Sequence, residues 1–139
     1  MGDNPPGDLS AAEIELLIDG LSDDVSFDWA LIDLGLRANP PEDDVPPNAA
    51  MISAAFACFE RLLRGGLIEV GRTEYVDPSL TSGTLAPLRH VSEPLNVVRD
   101  RVESACKAAN EWSDWAFSCW LVNTDAGHQA ARHALARRA

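Results

Sequence analysis

The sequence predicts an α+β fold, and three observations carry that prediction. Apolar residues recur at helical spacing in several stretches, most clearly Ile52, Ala55, Phe56, Phe59 and Leu63 at i, i+3, i+4, i+7 and i+11. That stretch stops at Gly65-Gly66 and runs directly into Leu67-Ile68-Glu69-Val70, where Ile68, Val70 and Val76 share one strand parity. A second run, Trp115 to Asn123, is almost wholly apolar, as a strand covered on both faces would be. At 139 residues and 15.0 kDa the chain suits one domain, which buries roughly two-thirds of its unfolded surface.

Taken in order, residues 1–8 are Gly, Pro, Asp and Asn in the main and predict disorder, ahead of a single domain over 9–139. Ser10 and Glu13 form an S-x-x-E capping box, with Leu9 and Ile14 at the positions of a hydrophobic staple. Ile14, Leu17, Ile18 and Leu21 make the buried stripe of this first helix, and Glu13, Glu15 and Asp19 its solvated side. After a break at Ser22-Asp23-Asp24, a second helix is expected from Ser26 to Arg37, with Phe27, Ala30, Leu31 and Leu34 inward. Four prolines between Asn39 and Pro47 exclude helix and central strand there, leaving a stiff acidic loop. Asn48 caps the third helix, and Gly65 is expected to close it in the left-handed conformation.

A strand from Leu67 to Val76 follows, ended by Asp77-Pro78, and Ser79 to Val91 reads as loop. Ser92 is expected to cap a fourth helix whose Leu95, Val98, Val102, Ala105 and Ala109 keep one narrow stripe. Glu111 to Asp114 turns the chain into the second strand, and Thr124 caps a last helix to about Arg138.

The charge is unevenly distributed. Residues 1–47 hold twelve acids against the single base Arg37, whereas residues 48–139 hold ten of each, so the whole excess of −11 sits in the first third. Self-repulsion that aids solubility is one reading; an electronegative face that steers a basic partner is the other. Such a face disfavours nucleic acid, whose binding draws largely on neutralised phosphates. No run approaches ~18 apolar residues, and Met1 to Pro6 is acidic and Pro-rich. Neither a membrane span nor a signal peptide is expected, and the cytoplasm is the default location. Cys58, Cys106 and Cys119 never stand as C-x-x-C and are expected to be reduced and buried.

Two pieces carry a family resemblance. Leu62-Leu63-Arg64-Gly65-Gly66-Leu67-Ile68 resembles the junction of third helix and first wing strand in winged-helix domains. Leu121-Val122-Asn123-Thr124-Asp125-Ala126-Gly127 is similar to the strand-Thr-x-x-Gly end of the wing in MarR- and PadR-like regulators. With the first two helices the resemblance spans about two-thirds of the chain. It implies three N-terminal helices, a two-stranded wing and a closing helix, here with a helix-bearing insertion at 77–114 where an ordinary wing has a short turn. It also implies a recognition helix, on which only Ser53, Arg61 and Arg64 are side chains of base-reading type. Arg72 and Arg89 would have to join them in one patch for DNA to bind.

Little points to catalysis. His128 and His133 are five apart, about 140° around a helix, and share no metal-binding face. A Cys119–His90 pair has nothing local to orient it, and adjacent acids such as Asp23-Asp24 are ordinarily just solvated. Gly65-Gly66 lies between helix and strand, the reverse of a phosphate loop. No enzyme, no cofactor and no metal site are expected. Trp112, Trp115 and Trp120 lie within nine residues. Core packing explains them first, but Trp112, beside a polar turn, is the one expected to face a partner.

The leading expectation is therefore a non-catalytic acidic module that binds a protein partner with a basic surface. Asp23, Asp24, Asp28, Glu42, Asp43, Asp44 and Trp112 would form its contact. An immunity- or antitoxin-type inhibitor of a basic effector is the form the charge suggests. The alternative is a winged-helix transcriptional regulator, a homodimer if its fourth or last helix pairs, reading DNA through Ser53, Arg61, Arg64, Arg72 and Arg89.

Overall fold

The structure, a computed structural model, describes residues 9–38, 45–77, 79 and 88–138. The expected N-terminal disorder, the acids Glu42, Asp43 and Asp44, and most of the loop over 79–91 lie outside the described residues. The fold is α+β. Its elements run α1 (Ala11–Asp19), β1 (Val25–Ser26), α2 (Phe27–Asp33), α3 (Ala49–Arg64), β2 (Ile68–Tyr75) and β3 (Leu88–Ser92). They continue with α4 (Leu95–Ala108), α5 (Trp112–Ala116), β4 (Trp120–Asn123) and α6 (Asp125–Arg138). Among the described residues the strands form one antiparallel sheet in the order β1-β4-β2-β3. No helix of these residues is long and apolar enough to cross a membrane.

Local signals set the helix ends. The Ser10 hydroxyl accepts from Glu13 N at 3.1 Å, and Ser10 N donates to Glu13 Oε1 at 3.0 Å, completing the capping box. Asn48 Oδ1 accepts from Met51 N at 2.9 Å at the start of α3. At its end Gly66 (φ 72°), rather than Gly65, takes the left-handed turn, and Leu67 N donates to Leu62 O at 2.9 Å. Leu62 rather than Leu63 completes the buried stripe with Ile52, Ala55, Phe56 and Phe59.

Further expectations are corrected. Glu13 is not on a solvated side: it is 1% exposed and held by Arg61 of α3 at 3.0 Å. The second helix ends at Asp33, because Gly35 (φ 74°) reverses the chain and Leu36 N donates to Leu31 O at 2.9 Å. The run from Trp115 is helix before it is strand. Asp114 Oδ2 accepts from Asn110 N and Glu111 N at 2.9 and 3.0 Å, which nucleates α5 and turns Trp115 and Ala116 into the core. A short apolar run has no period to separate the two states, and here the cap decides. Finally, 88–92 is a strand, paired with β2 from Gly71↔Ser92 to Tyr75↔Leu88. The Arg89 side chain, bonded across the ladder to Glu74 at 2.6 Å, supports it.

The core is a ring cluster. Phe27 of α2, Phe56 and Phe59 of α3 and Trp115 of α5 lie with centroids 5.1–6.5 Å apart in the contacting pairs. Helix α4, which follows the β2–β3 hairpin in sequence, closes it, with Val98 and Val102 fully buried. Its start is not capped by Ser92, whose hydroxyl donates to the Glu69 carboxylate instead. Arg101 ties α4 down. It grips Glu93 with two nitrogens at 2.8 and 3.0 Å and donates to Ser118 O at 2.8 Å.

The junctions at the ends of α3 and β4 meet. Thr124 N donates to Leu67 O at 3.0 Å, and Thr124 Oγ1 to Gly66 O at 2.6 Å. Gly127 is required here, since a Cβ would stand 2.0 Å from the Leu67 carbonyl oxygen.

Candidate functional site: an acidic groove lined with tryptophan

The end of α1, the turn after it, and the start of α2 face the segment from α5 to β4 across a groove of about 580 Å³. Asp19, Asp23, Asp24 and Asp28 line it, together with Trp29 and Ile32. Trp112, Phe117 and Trp120 line it from the later segment, and neither Lys nor Arg is among its lining residues. The segments are brought together by the β1–β4 ladder, in which Val25 pairs with Leu121 and Ser26 with Trp120. Phe27 N then donates to Cys119 O at 3.0 Å, and Ser26 caps α2 by accepting from Trp29 N at 3.3 Å.

The rings are arranged face and edge. Phe117 stacks on Trp120 with centroids 5.5 Å apart and 7° between planes, and Trp112 meets Phe117 edge-on at 5.1 Å. Trp29 and Phe117 are each 44% exposed, so both rings offer apolar surface to the groove. Trp29 Nε1 donates to the Asp19 carboxylate, which holds the indole at the groove. The expectation for Trp112 is modified: it is half-buried, and its Nε1 donates to Asp28 Oδ2 at 3.0 Å.

Asp28 also departs from an open acidic face. Its carboxylate pairs with Arg37 at 3.0 Å, both side chains being 7% exposed, and the Arg37 guanidinium lies 4.9 Å over the Trp115 ring. Asp28, one of the four aspartates lining the groove, is thus already neutralised by Arg37, while Asp23 and Asp24 line it as well. Asp23 Oδ1 accepts from Asp24 N at 2.8 Å. Partial burial lifts the Asp24 carboxyl above the ordinary range; His90 opposes the rise and Asp23 adds to it.

A second carboxyl pair flanks the groove. Burial, then a hydrogen bond with Asp19 and the charges of Asp19 and Glu15, push Asp33 up to about 8. The folded pKa lies above the unfolded one, so the stabilising contribution is complete below about pH 4 and is lost as pH rises through about 8. Asp33→Asn should therefore melt above wild type at pH 9 and level with it at pH 4. The gain should be on the order of 1 kcal/mol, since water screens a half-exposed pair. Parallel melting curves of the two proteins across this range would refute the raised Asp33 pKa.

The residues of the DNA-reading expectation do not form an unpaired basic patch. Arg61 pairs with Glu13 at 3.0 Å and Arg64 with Glu60 at 2.6 Å. Arg72 pairs with Glu74 at 2.9 Å and Glu93 at 3.4 Å, and Arg89 with the same Glu74 at 2.6 Å. The Ser53 hydroxyl accepts from Arg99 at 2.9 Å. The thiols are poor nucleophiles. Burial raises Cys58 and drives Cys106 to about 11, and the fully buried Cys119 is raised further still. His90 is held below its usual value, mainly by burial. Compared with protein-family models, with curated proteins and with solved structures, the chain finds no match.

Proposed function

We propose that the protein is a non-catalytic interaction module that captures a basic protein through the groove between α1–α2 and α5–β4. The observation that carries this reading is the groove itself: four aspartates and four aromatic rings around one opening, with no cation in its lining. Aromatic rings supply the desolvated anchor, and the rim acids supply steering toward positive charge. The surplus of acids over bases in residues 1–47 adds to the same field. An inhibitor of a basic effector, of immunity or antitoxin type, is the role such a surface suits. We assign the scaffold a winged-helix-like plan, with β2 and β4 as the wing and β3, α4 and α5 inserted between them. The contact of Gly66 and Leu67 with Thr124 supports that plan.

The test is kinetic. A partner is retrieved by pull-down from the native cell, identified by mass spectrometry, and measured by surface plasmon resonance against wild type and Asp23→Asn/Asp24→Asn. The association rate should fall severalfold while dissociation changes less, because rim charges act mainly on encounter. The difference should fade toward ~0.5 M salt, where the Debye length is about 4 Å. An association rate indifferent to mutation and salt would reduce these acids to a solvated surface.

A DNA-binding regulator is the competing reading, favoured by the outward side chains of Arg61 and Arg64, 55% and 72% exposed. Random duplex DNA should bind more weakly than ~100 μM at physiological salt, since the arginines already face carboxylates. A salt-dependent mobility shift at low micromolar protein would favour the regulator.

A further inference from the structure

We propose that the groove is a receptor for an arginine side chain projecting from the partner protein, an inference that rests on the basic-partner reading and names its recognition chemistry. A guanidinium is planar and weakly hydrated, so it stacks on aromatic faces while its fork of donors meets carboxylates. The groove supplies both. Trp29 stands exposed beside Asp19, and Asp23 and Asp24 lie on the same wall. Phe117 and Trp120 present a stacked pair of rings. An ammonium has the charge but not the plane, and it keeps its water more tightly.

The protein already uses this recognition internally. Arg37 lies over Trp115 at 4.9 Å and pairs at 3.0 Å with Asp28, itself a lining residue of the groove. The groove repeats those side-chain types toward solvent, without an arginine in its lining. Because Asp28 is matched from within by Arg37, an entering cation meets Asp23 and Asp24 rather than Asp28. The volume of about 580 Å³ exceeds one guanidinium and accommodates the arginine together with neighbouring residues of its segment.

The experiment titrates the full chain with a short oligoarginine and an oligolysine of equal length, following tryptophan fluorescence and calorimetry at physiological salt. Oligoarginine should bind about fivefold or more tightly than oligolysine, since a planar, weakly hydrated guanidinium stacks on the rings better than an ammonium. Trp29→Ala should remove that preference, leaving oligolysine affinity within about twofold. Asp23→Asn/Asp24→Asn should weaken both peptides alike. Phe117→Ala, also at an exposed ring, is the second variant should Trp29→Ala fold poorly, and it should narrow the preference in the same direction. Equal affinity for the two peptides, unchanged by either ring variant, would overturn the arginine receptor while leaving charge-steered capture intact. Failure of both peptides to bind even at low salt would overturn the capture reading along with it.

Discussion

Val98→Asp should destabilise the protein by more than ~2 kcal/mol, a large part of the stability of a small domain. Val98 is fully buried, on a helix that contacts α3, α5 and β2. An aspartate there would place a charge among apolar side chains such as Val102, and it would either ionise at a heavy desolvation cost or remain protonated and unpaired. Thermal and urea melts of the two proteins measure the loss. A melt unchanged within error would mean that α4 leaves this side open in solution, and its stripe would then become a candidate interface. The effect should be global rather than local, because α4 also meets the sheet through Arg101, which donates to Gly71 O of β2 at 3.4 Å.

Asp28→Ala should cost about 3–5 kcal/mol, the range for removing one partner of a buried ion pair. Arg37 would be left in its 7% exposed position over Trp115, and Trp112 would lose the acceptor of its indole N–H. The cost is the loss of the buried carboxylate that answers Arg37, whose Nη1 still donates to Val45 O at 3.1 Å. The double variant Asp28→Leu/Arg37→Met should therefore recover much of the loss, and comparing the melts of single and double variants measures that recovery. If Asp28→Ala alone proved harmless, the pair would have to be solvated, and Asp28 would rejoin the steering acids. Because Asp28 lines the groove, the double variant also tests whether peptide binding survives without that carboxylate.

Much of the architecture is written in short-range signals. Ser10 with Glu13 and Asn48 each satisfy a backbone donor within three residues, so the starts of α1 and α3 follow from the local chain alone. The buried valines of α4 follow from spacing in the same way. The run from Trp112 to Asn123 is different. Its composition suits a strand or a buried helix, and the choice falls to Asp114 at the turn. Strand β3 has no local period at all and exists through its ladder with β2.

The amino-acid sequence by itself determined the capped helices, the stop at Gly65-Gly66 and the concentration of acids in the first third, because caps, periodicity and charge are properties of neighbouring residues. Only the tertiary structure decided which of those acids meet solvent. Asp28 is taken inside by a tryptophan 84 residues away and by an arginine that Gly35 turns back toward it. Glu13 is taken inside by Arg61, 48 residues on. Of the arginines that would read DNA, Arg61 and Arg89 are paired by the same kind of contact between separate elements, with Glu13 and Glu74, whereas Arg64 meets Glu60 within one turn of α3. An ion pair and a buried face depend on where distant segments meet, and the groove arises where the β1–β4 ladder brings Trp120 beside Ser26.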